Sequence, residues 1–131
     1  LCTIPGVGLL TATAFLAFVG DVARFRSGRR LASYLGLTPR ESSSGGRRHL
    51  GRIAKRGDPY LRMLLIHGAR SVLSHAKRRT PPDRLREWAL DRERARGHNK
   101  AVVALANKIA RIVWAVWSPQ QDYTSSQLRV A

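Results

Sequence analysis

The stretch from Lys100 to Trp117 places Val102, Val103, Leu105, Ala106, Ile109, Ile112, Val113 and Val116 at helical spacing. Apolar residues on so wide an arc cannot all face one neighbour, so the stretch predicts a helix packed on more than one side. A second such pattern precedes it. Asp58-Pro59 reads as a helix cap followed by proline at the first helical position. Leu61, Leu64, Leu65, Ala69, Val72 and Leu73 then recur on one side. Thr80-Pro81-Pro82 ends that helix. A highly charged helix from Asp83 to Arg96 follows, with only Leu85, Trp88, Ala89 and Leu90 apolar. Gly97-His98-Asn99 breaks the chain again, and Ser118-Pro119 ends the last helix. These elements predict a mainly α-helical protein with one domain over residues 1–117 and a tail over 118–131.

The first twenty residues carry no charge, but Pro5, Gly6, Gly8 and Gly20, with Thr3, Thr11 and Thr13, interrupt them. They fall short of the roughly 20 apolar residues a membrane span needs, and no basic segment precedes them as in a secretory signal. Residues 1–4 read as the end of an earlier helix. Leu9–Val19 reads as a short, mostly buried helix. Asp21 caps a further turn holding Val22 and Phe25, and Ser27 caps a helix through Leu31, Tyr34 and Leu35 that ends at Gly36. The chain opens at Leu1 inside what reads as a structured motif, which points to a piece of a longer protein.

Residues 38–57 are the least regular stretch. They hold three consecutive serines, five glycine or proline residues and six Arg or Lys, with only Leu50, Ile53 and Ala54 apolar. That composition predicts an extended, exposed basic Ser/Gly loop, with room for a short β-hairpin around His49–Ala54.

Charge selects the partner. The chain has 131 residues, 24 Lys+Arg against 8 Asp+Glu, and a formal net charge of +16. So large a charge repels itself in the folded state, and a polyanion relieves it. Nucleic acid is the first candidate and an anionic membrane surface the rival. Most of the cations are Arg, whose planar fork matches phosphate. Cys2 is the only cysteine, so no internal disulfide forms and a reducing cytoplasm fits.

Two segments could carry chemistry. Ile4-Pro5-Gly6-Val7-Gly8 leads into a helix, and its pattern resembles the hairpin of helix-hairpin-helix motifs, which grip phosphates through backbone amides. Gly6 and Gly8 would allow the close approach; an ordinary turn between helices is the plain alternative. The second segment is Ser42-Ser43-Ser44-Gly45-Gly46. A serine hydroxyl needs positioning and activation to act as a nucleophile. Arg40, Arg47, Arg48, Arg52, Lys55, Arg56 and Arg62 could neutralise a phosphodiester beside it; a solvated linker is the alternative. His49, His67, His75, His98 and Cys2 lack the spacing of a zinc site, so no metal ligand is assigned. Glu41, Asp58 and Asp83 form no recognisable carboxylate pair. Trp88, Trp114 and Trp117 read as core anchors.

The string YLGLTPRESSSGG…GRIAKRGDPYLR, within a similarity running from about Thr3 to Val72, resembles the C-terminal domain of the insertion-sequence one-ten (one-sixteen/one-ten/nine-oh-two) transposases, a family related to the pilin-gene invertase. The resemblance resumes weakly at Asn99–Ala106. It implies a DNA transposase or recombinase domain whose serine attacks DNA and becomes covalently attached to it. Matching the family's Pro-Arg-x-x-Ser-x-Gly-Gly pattern onto Pro39-Arg40 and Gly45-Gly46 puts the nucleophile at Ser43, with Ser44 the fallback. It further implies a separate RuvC-like acidic domain that binds divalent metal (magnesium), a guide RNA, and action as a homo-oligomer on DNA in the bacterial cytoplasm, at the nucleoid. Nothing in this chain corresponds to the acidic domain, so the piece by itself is expected to be inactive. The residues alone leave a second reading open, a non-catalytic helix-hairpin-helix module that binds DNA or RNA.

Overall fold

The computed structural model describes residues 1–44, 47–53, 58–78, 82–119 and 123–124, with residues 39–44 and 47–53 described by their backbone. The order is α1 (Leu9–Phe18), a 3-10 turn (Val22–Arg24), α2 (Gly28–Tyr34), β1 (Pro39–Ser44), β2 (Arg47–Ile53), α3 (Pro59–Ala76), α4 (Arg84–Arg96) and α5 (His98–Trp117). The protein is mainly helical, as its apolar periodicity predicts.

The capping residues act as read. Asp21 accepts a hydrogen bond from the Ala23 amide and Ser27 from the Arg30 amide. Asp58 accepts from the Tyr60 amide at 2.8 Å. Asp83, read from the sequence as the first residue of its helix, caps it, accepting from the Arg86 amide at 2.9 Å. Each satisfies an amide that the first helical turn leaves without a partner, worth about 1 kcal/mol. At the other end of α2, the Gly36 amide bonds the Ser33 carbonyl and the Leu37 amide bonds the Ala32 carbonyl. This paired closure folds Leu37 back into the core.

Helix α5 is the centre of the core. Ala101, Val102, Leu105, Ala106, Ile109, Ala110, Ile112, Val113, Ala115 and Val116 are buried, and α2, α3 and α4 all pack on it. Leu31 and Leu35 of the α2 region, Leu61, Leu65 and Leu73 of α3, and Leu85 of α4 are fully buried around it. Each such side chain stabilises the fold by about 1.5–3 kcal/mol. Tyr123, expected in a tail, packs against this core and its amide donates to the Thr3 hydroxyl.

Two expectations are corrected. Residues 1–4 form turns rather than a helix end: the Ile4 amide bonds the Leu1 carbonyl and the Val7 amide bonds the Ile4 carbonyl. Helix α1 is not mostly buried. Thr11, Ala12, Ala14 and Phe15 are buried, but Leu9, Leu10, Leu16 and Phe18 are 77%, 62%, 56% and 52% exposed. The reason is geometric. Among the helices α1 packs chiefly on α3, so one face is covered and the other faces away.

The turn before α1 meets α3 backbone to backbone. Gly6 has φ +84°, and a Cβ there would lie 3.1 Å from the Gly68 carbonyl, the Val72 side chain and the Ile109 side chain. A Cβ on Gly68 would lie 2.1 Å from the Gly6 carbonyl oxygen. Both positions therefore require glycine. Alanine at Gly68 would raise helix propensity by about 1 kcal/mol, yet the overlap must push the turn off α3. Gly68→Ala is expected to lower the urea-unfolding free energy by about 2 kcal/mol. Gly8→Ser, at an open N-cap position, is expected to be neutral or slightly stabilising. Equal losses in the two variants would contradict this packing.

Candidate functional site

The site begins where α2 ends. The buried Leu37 carries its chain direction out of the core, Thr38 follows, and Pro39 opens β1. Three contacts hold this root. The Asn107 side-chain amide of α5 donates to the Leu37 carbonyl at 3.1 Å. Arg111 Nε donates to Asn107 Oδ1 at 3.0 Å, which orients that amide. Arg62 of α3 donates to the Leu35 carbonyl at 3.3 Å. A polar relay thus crosses from the central helix to the base of the strand pair.

Strands β1 and β2 run antiparallel. Glu41 pairs with Leu50, Ser42 with His49, Ser43 with Arg48 and Ser44 with Arg47, and Pro39 pairs with Ile53. The register shifts by one residue between Pro39 and Glu41, the kind of irregularity that accommodates a proline lacking an N–H. Paired backbone takes in residues 39–44 and 47–53.

The assigned residues fall into three places. Arg40, Ser43, Ser44, Arg47, Arg48 and Arg52 belong to the strand pair, with Ser43 opposite Arg48. Lys55 and Arg56 lie outside the described residues. Arg62 sits half-buried at the root, bonded to the α2 end. Gly6 and Gly8 are not on the hairpin. Gly6 lies against α3, and that packing accounts for its glycine without a ligand. Gly8 opens α1 with no side-chain cap, which leaves first-turn amides of α1 without an intrahelical partner.

Sequence reasoning missed a second group. Lys108 of α5 and Arg92 of α4 both sit over the Trp88 ring, Nζ 4.8 Å and Cζ 5.2 Å from its centroid. Burial pushes the Lys108 ammonium below its ordinary range, and the charges of Arg111 and Arg92 push it the same way. Burial and then Arg29 do the same to Arg111. Gly28, the first residue of α2, lies so close to α5 that a Cβ there would be 2.9 Å from the Arg111 Cα. These residues are scattered over three helices, so no local motif announces them. The available signal was a polar Asn-Lys-x-x-Arg run on the most apolar helix. Trp114 anchors the same region, donating from its indole N–H to the Phe25 carbonyl at 3.0 Å.

Among the described residues the histidines do not converge. His67 and His75 are exposed on α3, and His98 pairs with Glu93 at 2.9 Å. Among the described residues no group of three His, Cys, Asp or Glu could hold a metal ion. Among them, too, no helix is long and apolar enough to cross a membrane.

Comparison with known proteins bears on this arrangement. The profile of the transposase IS116/IS110/IS902 family matches residues 1–83, from the Gly6 turn through both strands and α3. The chain is 48% identical over 121 residues to the transposase for insertion sequence element IS1111A of Coxiella burnetii, covering 92% of this chain and 33% of that protein. A probable family 20 transposase of Pseudomonas aeruginosa is 46% identical over 123 residues, 94% of this chain and 36% of that protein. The transposase for IS1328 of Yersinia enterocolitica is 41% identical over 117 residues, 88% and 34% of the two. The chain thus spans about a third of the length of these relatives.

The relay at the hairpin root has a measurable consequence. Asn107→Ala removes the donor to the Leu37 carbonyl and the acceptor for Arg111, at a cost of about 1–3 kcal/mol. Amide hydrogen exchange over residues 39–53 is expected to speed up more than exchange in α3 and α5. Uniform acceleration across all elements would mean that Asn107 supports the core and not the hairpin.

Proposed function

Because the chain belongs to the IS116/IS110/IS902 transposase family, we propose that it is the serine-bearing, DNA-binding part of a transposase, with Ser43 as the nucleophile. One observation carries this reading: the strand register puts Ser43 opposite Arg48 and next to the Ser44–Arg47 pair. A nucleophile on phosphorus needs cations at the non-bridging oxygens, and here arginines share its register positions. Arg40 and Arg52 lie on the same strand pair, Arg62 stands at its root, and Lys55 and Arg56 follow in the sequence.

In the proposed step the Ser43 oxygen loses its proton and bonds to a DNA phosphorus. The bond from phosphorus to one deoxyribose oxygen breaks, and that oxygen leaves as an alcohol after taking up a proton. The phosphoserine ester retains the energy of the broken diester, so a new DNA hydroxyl can reverse the step without a nucleotide cofactor. No described group suits the role of base, and no described cluster fits a divalent metal, so no step is routed through a metal here. We place the magnesium-binding, RuvC-like acidic domain, the guide RNA and the oligomeric partner in the full-length protein. Gly6 and Gly8 stay in the proposal as the helix-hairpin-helix-like approach to phosphate, through the open first turn of α1. The site of action is the bacterial nucleoid, and the piece alone binds DNA without cleaving it.

Two measurements test this. The chain should bind duplex DNA with affinity falling roughly 10³-fold or more between about 50 and 200 mM salt, as several phosphate contacts require. Affinity independent of salt contradicts an electrostatic interface. In the full-length transposase supplied with RNA, magnesium and a suicide DNA substrate, mass spectrometry should find DNA attached at Ser43. Attachment at Ser44 shifts the assignment by one residue. No adduct, with Ser43→Ala recombining normally, leaves the non-catalytic binding module as the correct reading.

A further inference from the structure

We propose that Arg29, Arg92, Lys108 and Arg111 form a second phosphate-binding track for duplex DNA, joined to the root of the serine hairpin through Asn107. The inference rests on the transposase reading above and extends it to a surface outside the hairpin. Like charge, preorganisation and position carry it.

The first is that the group consists of like charges. Arg29 comes from α2, Arg92 from α4, and Lys108 and Arg111 from α5; Arg92 and Lys108 share the Trp88 ring, and Gly28, the neighbour of Arg29, abuts the Arg111 backbone. Among the described residues no carboxylate pairs with Arg29, Arg92 or Lys108. Of the acids on and just before α4, Asp83 pairs with Arg86, Asp91 with Arg94, and Glu93 with Lys77 and His98. Clustered cations of this kind destabilise a free surface and are relieved by a polyanion.

The second argument is preorganisation. Trp88 holds the head groups of Arg92 and Lys108 over its ring, at 5.2 and 4.8 Å, and Asn107 holds Arg111 Nε. Cation–π contact fixes a cation in place and leaves its charge intact. Side chains fixed before binding lose less freedom when a phosphate arrives.

The third is position. Asn107 bridges Arg111 to the Leu37 carbonyl, two residues before β1 begins, so the track and the hairpin share one anchor. Duplex DNA crossing the hairpin would continue onto α5, and that continuity commits the track to DNA.

The test compares paired variants of this chain by fluorescence anisotropy on a random-sequence duplex. Arg29→Gln with Arg92→Gln changes two exposed side chains of the track. Arg70→Gln with Arg78→Gln removes the same charge from exposed positions on and just after α3. The track pair should weaken binding roughly tenfold at about 150 mM salt and reduce the salt slope by about 2, regardless of sequence. The α3 pair should stay within about twofold. Thermal melts confirm folding, and the charge-conserving Arg92→Lys variant should bind almost normally. Equal losses from both pairs would reduce the track to bulk charge and overturn it. A loss confined to a structured RNA hairpin, with duplex DNA binding intact, would overturn it as well. Arg47→Gln with Arg48→Gln tests the hairpin separately. A defect there beside normal binding by the track pair would refute the track and leave the transposase reading standing.

Discussion

Burial of α5 organises the molecule, because α2, α3 and α4 each cover part of one apolar helix. A helix buried on that many sides has only a narrow stripe for polar residues. On α5 that stripe carries Asn107, Lys108 and Arg111, all partly buried. Their positions follow from helical periodicity: residues three and four apart stack on one side. The same geometry that closes the core therefore lines up an amide and two cations beside the end of α2. Asn107 uses this position to hold the Leu37 carbonyl, and the serine strand starts two residues later.

A net charge of +16 sets the second constraint. The fold keeps it away from the core and away from α1, whose segment has no charge at all. At the turn before α1 no side chain separates Gly6 from Gly68, and the backbones meet directly. The cations instead occupy the hairpin, the outer sides of α2, α3 and α4, and the polar stripe of α5. The apolar residues Leu9, Leu10, Leu16 and Phe18 remain exposed on α1, and Phe18 meets Tyr60 of α3 edge-on at 6.0 Å.

Local chemistry was the legible part of the sequence. Asp21, Ser27 and Asp58 cap within three residues of themselves, so their positions could be read from neighbours alone. The periodic apolar residues of α3 and α5 gave helices of nearly the observed length. Residues 39–44 carry no local strand signal, because proline, glutamate and serine do not favour strands and pairing depends on a partner strand. The exposure of α1 was hidden for a related reason: hydrophobicity shows what can be buried, and only the packing shows what is. The Asn107–Leu37 bond spans seventy residues of sequence, and the Arg29–Arg111–Lys108–Arg92 group spans three helices. No window of the chain contains either. Family resemblance reached Ser43 through a contiguous string and could not reach these.

The α5 stripe and the strand pair are proposed to present one continuous surface to duplex DNA. A cryo-EM structure of the full-length transposase on duplex DNA tests it most directly. A phosphorus is expected within about 3.5 Å of the Ser43 Oγ, with further phosphates of the same duplex over Lys108 and Arg111. DNA lying instead across the outer face of α3, at Arg70 and Arg78, with Ser43 remote from any phosphate, would contradict it.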